Sequence, residues 1–164
     1  MIFICLGNPE RKYSKTRHNI GKMFGEYLVG DKKGRSLKEG EVFELDGNKV
    51  VFLNCYMNES GKYLKKILKK LNCFDFNQVY VVHDDLDIPF GEFRIQFARG
   101  TAGHHGVDSI VESLATKDFW RIRIGIGKPP VNIEPEDFVL MPFGEERGEL
   151  EEIFVKVLQE LKEC

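Results

Sequence analysis

Two periods of apolar residues alternate along the chain. Ile2 to Leu6 is a short continuous apolar run stopped by Gly7-Asn8-Pro9, the pattern of a buried strand entering a turn. From Thr16 the spacing changes, and Ile20, Met23, Phe24, Tyr27 and Leu28 share one helical face with Thr16 placed as N-cap. Residues 29–40, rich in Gly, Lys and Ser, read as a loop, and the runs 42–45 and 50–53 around Asp46-Gly47-Asn48 read as a hairpin. Tyr63, Leu64, Ile67, Leu68 and Leu71 predict a second helix capped near Asn58 or Ser60. Val79 to Val82 is apolar without alternation, as a strand covered on both faces requires, and it empties into His83-Asp84-Asp85. Phe93, Ile95 and Phe97, then Ile122, Ile124 and Ile126, alternate with polar or small residues and predict two half-buried strands. Val107, Ile110, Val111 and Leu114 mark a helix between them, and Leu150, Ile153, Phe154, Val157, Leu158 and Leu161 mark a last one.

Strands and helices in this order, with a hairpin among them, predict an α/β fold: a single domain over residues 1–164 with a central twisted mixed sheet flanked by helices on both sides. A chain of 164 residues has no room for a second full domain. Ligands in such folds gather beyond the carboxyl ends of strands, where Leu6 leads to Asn8, Leu53 to Asn58 and Val82 to Asp84. No apolar stretch approaches the ~20 residues that span a bilayer, and Cys5, Cys55, Cys73 and Cys164 are scattered without CxxC spacing. These features predict a protein of the cytoplasm with reduced thiols and no membrane partner.

Charge changes the picture more than composition does. The net charge is −2, yet of 24 Lys and Arg and 26 Asp and Glu, only 3 basic but 10 acidic residues fall from residue 134 onward. An acidic tail therefore masks a basic body. Lys62, Lys65, Lys66, Lys69 and Lys70 cluster at helical spacing, and Arg11, Lys12, Lys15, Arg17 and Lys22 form a second group. Both could grip a phosphate backbone, and both read equally as solvated faces.

His18, in Thr16-Arg17-His18-Asn19, sits where the positive end of a helix dipole would disfavour imidazolium, which predicts a neutral base. General-base hydrolysis also needs a carboxylate to fix the tautomer, and Asp84 is the candidate. A histidine at a helix start can equally be structural, and an Asp after a strand can be a turn former. His83, Asp84, Asp85, Asp87, His104 and His105 are dense enough to suggest a metal site, but no HExxH, paired CxxC or EF-hand spacing accompanies them. Nucleotide loops of the GxxxxGKS or GxGxxG type and the GxSxG nucleophile elbow are absent, so no cofactor is implied.

Leu6-Gly7-Asn8-Pro9, Tyr13, Thr16-Arg17-His18-Asn19-Ile20-Gly21, Tyr56-Met57-Asn58-Glu59-Ser60-Gly61, His83-Asp84-Asp85-Leu86-Asp87-Ile88-Pro89, Gly103-His104-His105-Gly106 and the segment from Arg121 to Pro129 follow one another in sequence. Together they resemble the bacterial-type peptidyl-tRNA hydrolase family along nearly the whole chain. The resemblance implies a monomeric, metal-independent enzyme that cleaves the ester between peptide and tRNA and recycles the tRNA. It implies His18 as the base activating water, Asp84 as its orienter, and Asn8 at the reacting ester or oxyanion. It further implies Asn58 on the peptide backbone, and Met57 and Tyr13 shaping the cleft around the tRNA 3′ end. The family's Gly-His-Asn-Gly is here Gly103-His104-His105-Gly106, which puts an imidazole, His105, at a substrate-binding position usually held by an amide. That exchange also motivates an alternative, an RNA-binding relative of the same fold with weakened turnover. A further alternative, a metal-dependent hydrolase around His83, Asp84 and His104, would lose activity on chelation.

Overall fold

The computed structural model describes residues 1–163, so Cys164 lies outside the described residues. The strands are β1 (Ile2–Cys5), β2 (Arg35–Leu37), β3 (Gly40–Leu45), β4 (Asn48–Leu53), β5 (Val79–Asp85), β6 (Phe93–Phe97) and β7 (Trp120–Gly125). The helices are α1 (Ile20–Val29), α2 (Ser60–Lys70), α3 (His105–Leu114), α4 (Pro135–Leu140) and α5 (Leu150–Glu163). One seven-stranded sheet runs in the order β2-β3-β4-β1-β5-β7-β6. Its centre, β4-β1-β5-β7, is parallel, while β2 and β3 extend one edge and β6 the other by antiparallel pairing. The mixed sheet with helices on both sides is the architecture that the apolar periods predict.

The central strands are apolar throughout because both faces are covered. Phe3, Cys5 and Val82 pack with Ile20 and Phe24 of α1 and with Ile153, Phe154 and Val157 of α5. Ile2, Ile4, Leu6 and Val81 pack into the opposite core with Leu64, Ile67 and Leu68 of α2 and Val107 and Ile110 of α3. Two glycines permit the closest approaches: a Cβ on Gly21 would strike the Val82 carbonyl, and one on Gly61 the Ser109 carbonyl. The first brings the start of α1 against the end of β5, where His18 and Asp84 meet. Among the described residues no helix is long and apolar enough to cross a membrane.

Several local expectations are corrected. Thr16 does not cap α1: its hydroxyl donates to the Tyr13 carbonyl at 2.8 Å, and a 3-10 turn, Arg17–Asn19, intervenes before the helix. The cap of α2 falls near Asn58 and Ser60 as expected, on Glu59 between them, after the 3-10 turn Met57–Glu59. The segment read as a loop contains β2, a three-residue edge strand too short to show a period. The short helix α4 was not anticipated from periodicity, since it spans less than two turns. Nor is β7 half-buried. Arg121 is fully enclosed, with Nη1 donating to the Gly100 carbonyl at 3.1 Å and its guanidinium 4.4 Å from the Phe119 ring centroid. Arg123 is buried on Asp85 Oδ2 at 2.8 Å and Gln96 Oε1 at 2.6 Å. Alternation with arginine suggests a solvated face, but side-chain acceptors hold Arg123 under cover, and Arg121 is enclosed with one carbonyl and a ring face while its Nε and Nη2 have no partner among the described residues.

Candidate active site

The turn after β1 places Asn8. Its backbone N–H donates to Asn19 Oδ1 at 2.8 Å, and Asn19 Nδ2 donates back to the Asn8 carbonyl at 3.0 Å. Its side-chain oxygen accepts the Met57 N–H at 3.1 Å, and Nδ2 has no hydrogen-bond partner among the described residues. The 3-10 turn that holds Asn19 presents His18, 9% exposed, to the end of β5.

Asp84 lies within β5, not after it, and is 3% exposed. His18 Nδ1 is 2.9 Å from each of its carboxylate oxygens, and His104 Nε2 is 2.9 Å from Oδ1. The tautomers follow from the partners. His104 occupies the N-cap position of α3, where its Nδ1 accepts the Gly106 and Val107 N–H groups at 3.1 and 3.3 Å. Its proton therefore sits on Nε2 and points at Asp84. His18 likewise donates from Nδ1, which leaves its Nε2 lone pair free. The two rings lie 4.8 Å apart. His83 turns elsewhere: its Nδ1 donates to the Asp84 carbonyl at 2.8 Å, and its Nε2 is buried without a partner among the described residues.

Electrostatics reinforce this arrangement. Burial would push the Asp84 carboxyl up, but the His18 and His104 rings, by charge and hydrogen bond, hold it well below the usual carboxylate range. Burial would lower His18, and the Asp84 charge and hydrogen bond outweigh it, so His18 ends above 6.5. This corrects the expectation of a helix dipole depressing His18. The residue precedes α1 by two positions, and a carboxylate in contact acts more strongly than half a charge at a helix end. His83 is held well below 6.5, chiefly by burial.

A cleft of about 590 Å³ opens on this pair, lined by His18, Asp84, Leu86, residues 101–105, Pro135, Glu136, Val139 and Leu140. His105 is exposed on its rim at the start of α3. Asn8, Tyr13, Met57 and Asn58 are not among the cleft-lining residues. Met57 approaches it through Gly106, where an added Cβ would meet the Met57 sulfur and the His104 ring, and Asn8 is joined to Met57 by the hydrogen bond above. Asn58 is exposed with no hydrogen bond from its side chain to the described residues, and Tyr13 packs edge-on against Tyr56 at 6.5 Å. Of the α2 lysines, Lys65 donates to the Ser113 carbonyl at 3.0 Å and Lys70 pairs with Glu39, whereas Lys62, Lys66 and Lys69 are exposed without such partners among the described residues.

Among the described residues, His18, Asp84 and His104 have metal-ligating atoms within 4.8 Å of one another, a different set from the alternative group of His83, Asp84 and His104. Both imidazole nitrogens facing the carboxylate carry protons, so a cation there would have to displace two hydrogen bonds and the cap of α3. The residues fit a hydrogen-bonded triad better than a metal. The thiols are no better placed as nucleophiles: Cys5, Cys55 and Cys73 are buried, and burial pushes Cys55 up to about 12. Sequence reasoning missed the roles of His104 and Asn19. Histidine has no marked preference for an N-cap, and Asn19 stands at the cap position of α1 while its side chain serves Asn8 instead.

Fold and site together define an α/β protein with a buried imidazole–carboxylate pair at the carboxyl end of the parallel strands of its sheet, where ligands of such folds bind. A sequence model of the family described as peptidyl-tRNA hydrolase matches residues 2–164. The chain belongs to the peptidyl-tRNA hydrolase family. It is 40% identical over 162 residues to a peptidyl-tRNA hydrolase of Rhodococcus erythropolis and equally to one of Mycolicibacterium smegmatis, covering 92% of this chain and 83% of each relative. The match to the Nocardia farcinica protein is 41% over 150 residues, covering 87% and 77%. Among solved structures, the peptidyl-tRNA hydrolase of Acinetobacter baumannii superposes with a TM-score of 0.82 at 28% identity, covering 92% of this chain and 80% of that one.

Proposed function

We propose that the protein hydrolyses the ester between the peptide and the 3′ end of tRNA in peptidyl-tRNA, with His18 as general base. The observation that carries this reading is the hydrogen-bonded set His18–Asp84–His104 at the floor of the cleft. His18 Nε2 takes a proton from water as the water oxygen attacks the ester carbonyl, and Asp84 stabilises the imidazolium that forms. The tetrahedral intermediate collapses by breaking the bond to the ribose 3′ oxygen, which receives the proton from His18. Asn8 Nδ2, held in place by Met57 and Asn19, is the donor assigned to the oxyanion. Asn58 holds the backbone of the last peptide residue, an interaction that tolerates any side chain. Met57 and Tyr13 shape the adjoining surface, and His105 contributes one ring N–H or lone pair at the rim. The enzyme acts in the cytoplasm as a monomer, needs no metal ion or cofactor, and grips tRNA phosphates through Lys62, Lys66 and Lys69.

The test is release of tRNA from an N-acylated aminoacyl-tRNA in the presence of EDTA. The wild-type protein is expected to turn over, and His18→Ala to lose activity by orders of magnitude. Equal turnover by the variant would reject the base assignment, and loss on chelation would favour a metal enzyme. Tight RNA binding without turnover by the wild-type protein would favour the RNA-binding alternative.

A further inference from the structure

One 3-10 turn holds three parts of the site at once. Of its residues, Asn19 clamps the Asn8 backbone, His18 binds Asp84, and Arg17 reaches the other way, to the wall formed by α4. Arg17 is 12% exposed in its side chain. Its Nη1 donates to the carbonyls of Pro142 at 2.8 Å and Met141 at 3.3 Å, and its Nη2 pairs with Glu146 Oε1 at 2.7 Å. The guanidinium also lies 4.4 Å from the Phe138 ring centroid and 5.3 Å from that of Phe143. The backbone repeats the link: Arg17 N–H donates to the Met141 carbonyl, Phe143 N–H donates to the Lys15 carbonyl, and Thr16 and Pro142 form an isolated antiparallel bridge. Pro135, Glu136, Val139 and Leu140, all on the same short helix, line the cleft together with His18, Asp84 and residues 101–105.

We infer that Arg17 is a positioning residue for substrate binding, fixing the α4 wall of the cleft at a set distance from the neighbouring His18. The inference rests on the function proposed above. A helix of six residues cannot hold itself in place. Its register against His18 depends on side-chain anchors, and a planar fork that meets two carbonyls, a carboxylate and two aromatic faces cannot be replaced by a point charge. Without the anchor the wall samples open positions, and apparent affinity falls with the fraction of closed molecules.

The test compares Arg17→Met, Arg17→Lys and Glu146→Gln with the wild type and with Glu145→Gln, an exposed neighbour expected to change nothing. If the closed wall falls to about a tenth of molecules, KM for peptidyl-tRNA rises about tenfold in Arg17→Met while kcat stays within about twofold. Lysine should give an intermediate KM. Amide exchange at residues 138–141 should quicken in parallel, a readout that needs no turnover. Thr16 and Pro142 face each other as a non-hydrogen-bonded pair, with Cα atoms about 4.5 Å apart in such geometry, within disulfide reach. Adding Thr16→Cys with Pro142→Cys to Arg17→Met should restore KM when oxidised and lose it again on reduction. Wild-type KM and amide protection in Arg17→Met would overturn the inference. So would a loss of kcat that the oxidised disulfide leaves unrepaired. Absence of turnover in the wild type would instead refute the proposed function, while the exchange measurement would still decide the role of Arg17. Should Arg17→Met fail to fold, Glu146→Gln and Arg17→Lys supply the same readouts.

Discussion

Replacing Asp84 with Asn should do more than remove a charge. In the wild type two N–H donors converge on one carboxylate, from His18 Nδ1 and His104 Nε2. An asparagine offers one acceptor oxygen and one NH₂ donor to the same two rings. His104 cannot adapt, because its Nδ1 is already committed to two backbone N–H groups. The asparagine oxygen, kept by His104 at the Oδ1 position that both rings share, puts the NH₂ at the Oδ2 position, 2.9 Å from His18 Nδ1, where it offers that nitrogen a donor. His18 then accepts at Nδ1 and carries its proton on Nε2, the wrong tautomer for a base. The corresponding exchange in a Ser-His-Asp triad lowers kcat by about 10⁴-fold, and a loss of that order is expected here. Loss of the carboxylate also leaves burial unopposed, so the His18 pKa should fall below 6.5. The same reasoning predicts a non-additive rescue. With His104→Ala in the Asp84→Asn background the carboxamide is free to turn its oxygen to His18, and kcat should recover on the order of tenfold, the equivalent of about one net hydrogen bond. The assay is steady-state release of tRNA from N-acylated aminoacyl-tRNA at saturating substrate, with Tm measured alongside. A double variant no faster than Asp84→Asn would refute the tautomer argument.

The acid limb of kcat/KM should have its midpoint above 6.5, because activity requires unprotonated His18 and Asp84 raises its pKa; a midpoint below 6.5 in the wild type would contradict this. His83 is buried as the neutral ring with its pKa depressed, so it binds a proton only on unfolding over the interval below 6.5. Its contribution to stability is complete above 6.5 and weakens as pH falls, by a factor of up to about ten in the folding equilibrium per pH unit, until its own folded pKa is reached. Urea melts of His83→Phe between pH 7 and 5 should show a shallower loss than the wild type. Gly61→Ala should destabilise by about 3 kcal/mol, since its Cβ would collide with the Ser109 carbonyl of a packed helix; an unchanged Tm would show that α2 and α3 can separate freely. Reversing Lys62, Lys66 and Lys69 to Glu should raise KM and flatten its salt dependence with little change in kcat, and unchanged binding would make this helix a solvated face.

The fold was legible wherever long apolar periods met a covered face. Ile2 to Leu6 and Val79 to Val82 read directly as central strands, and α1, α2, α3 and α5 each present an apolar stripe. Short elements escaped, as β2 and α4 hold too few residues for a period to emerge. Arg121 and Arg123 misled because alternation reports residue type, whereas their burial depends on acceptors from Gly100, Asp85 and Gln96 that only the tertiary structure supplies. At the site, His18 and Asp84 could be paired from chemistry and motif, although 66 positions separate them. His104 could not be placed by the same route. Its role depends on one nitrogen being taken up by the α3 N-terminus, so that the other must donate. The sign of the His18 shift was misread for a related reason: the helix dipole is visible in sequence, but the distance to a carboxylate is not.

The central claim, that His18 presents an unprotonated Nε2 while Nδ1–H is held by Asp84, is open to direct measurement by ¹⁵N NMR of the imidazole nitrogens across a pH titration. Above its midpoint, which should exceed 6.5, His18 is expected to show a protonated Nδ1 and a bare Nε2, and His104 the opposite pattern at every pH where it is neutral. A neutral His18 with its proton on Nε2 would contradict the account.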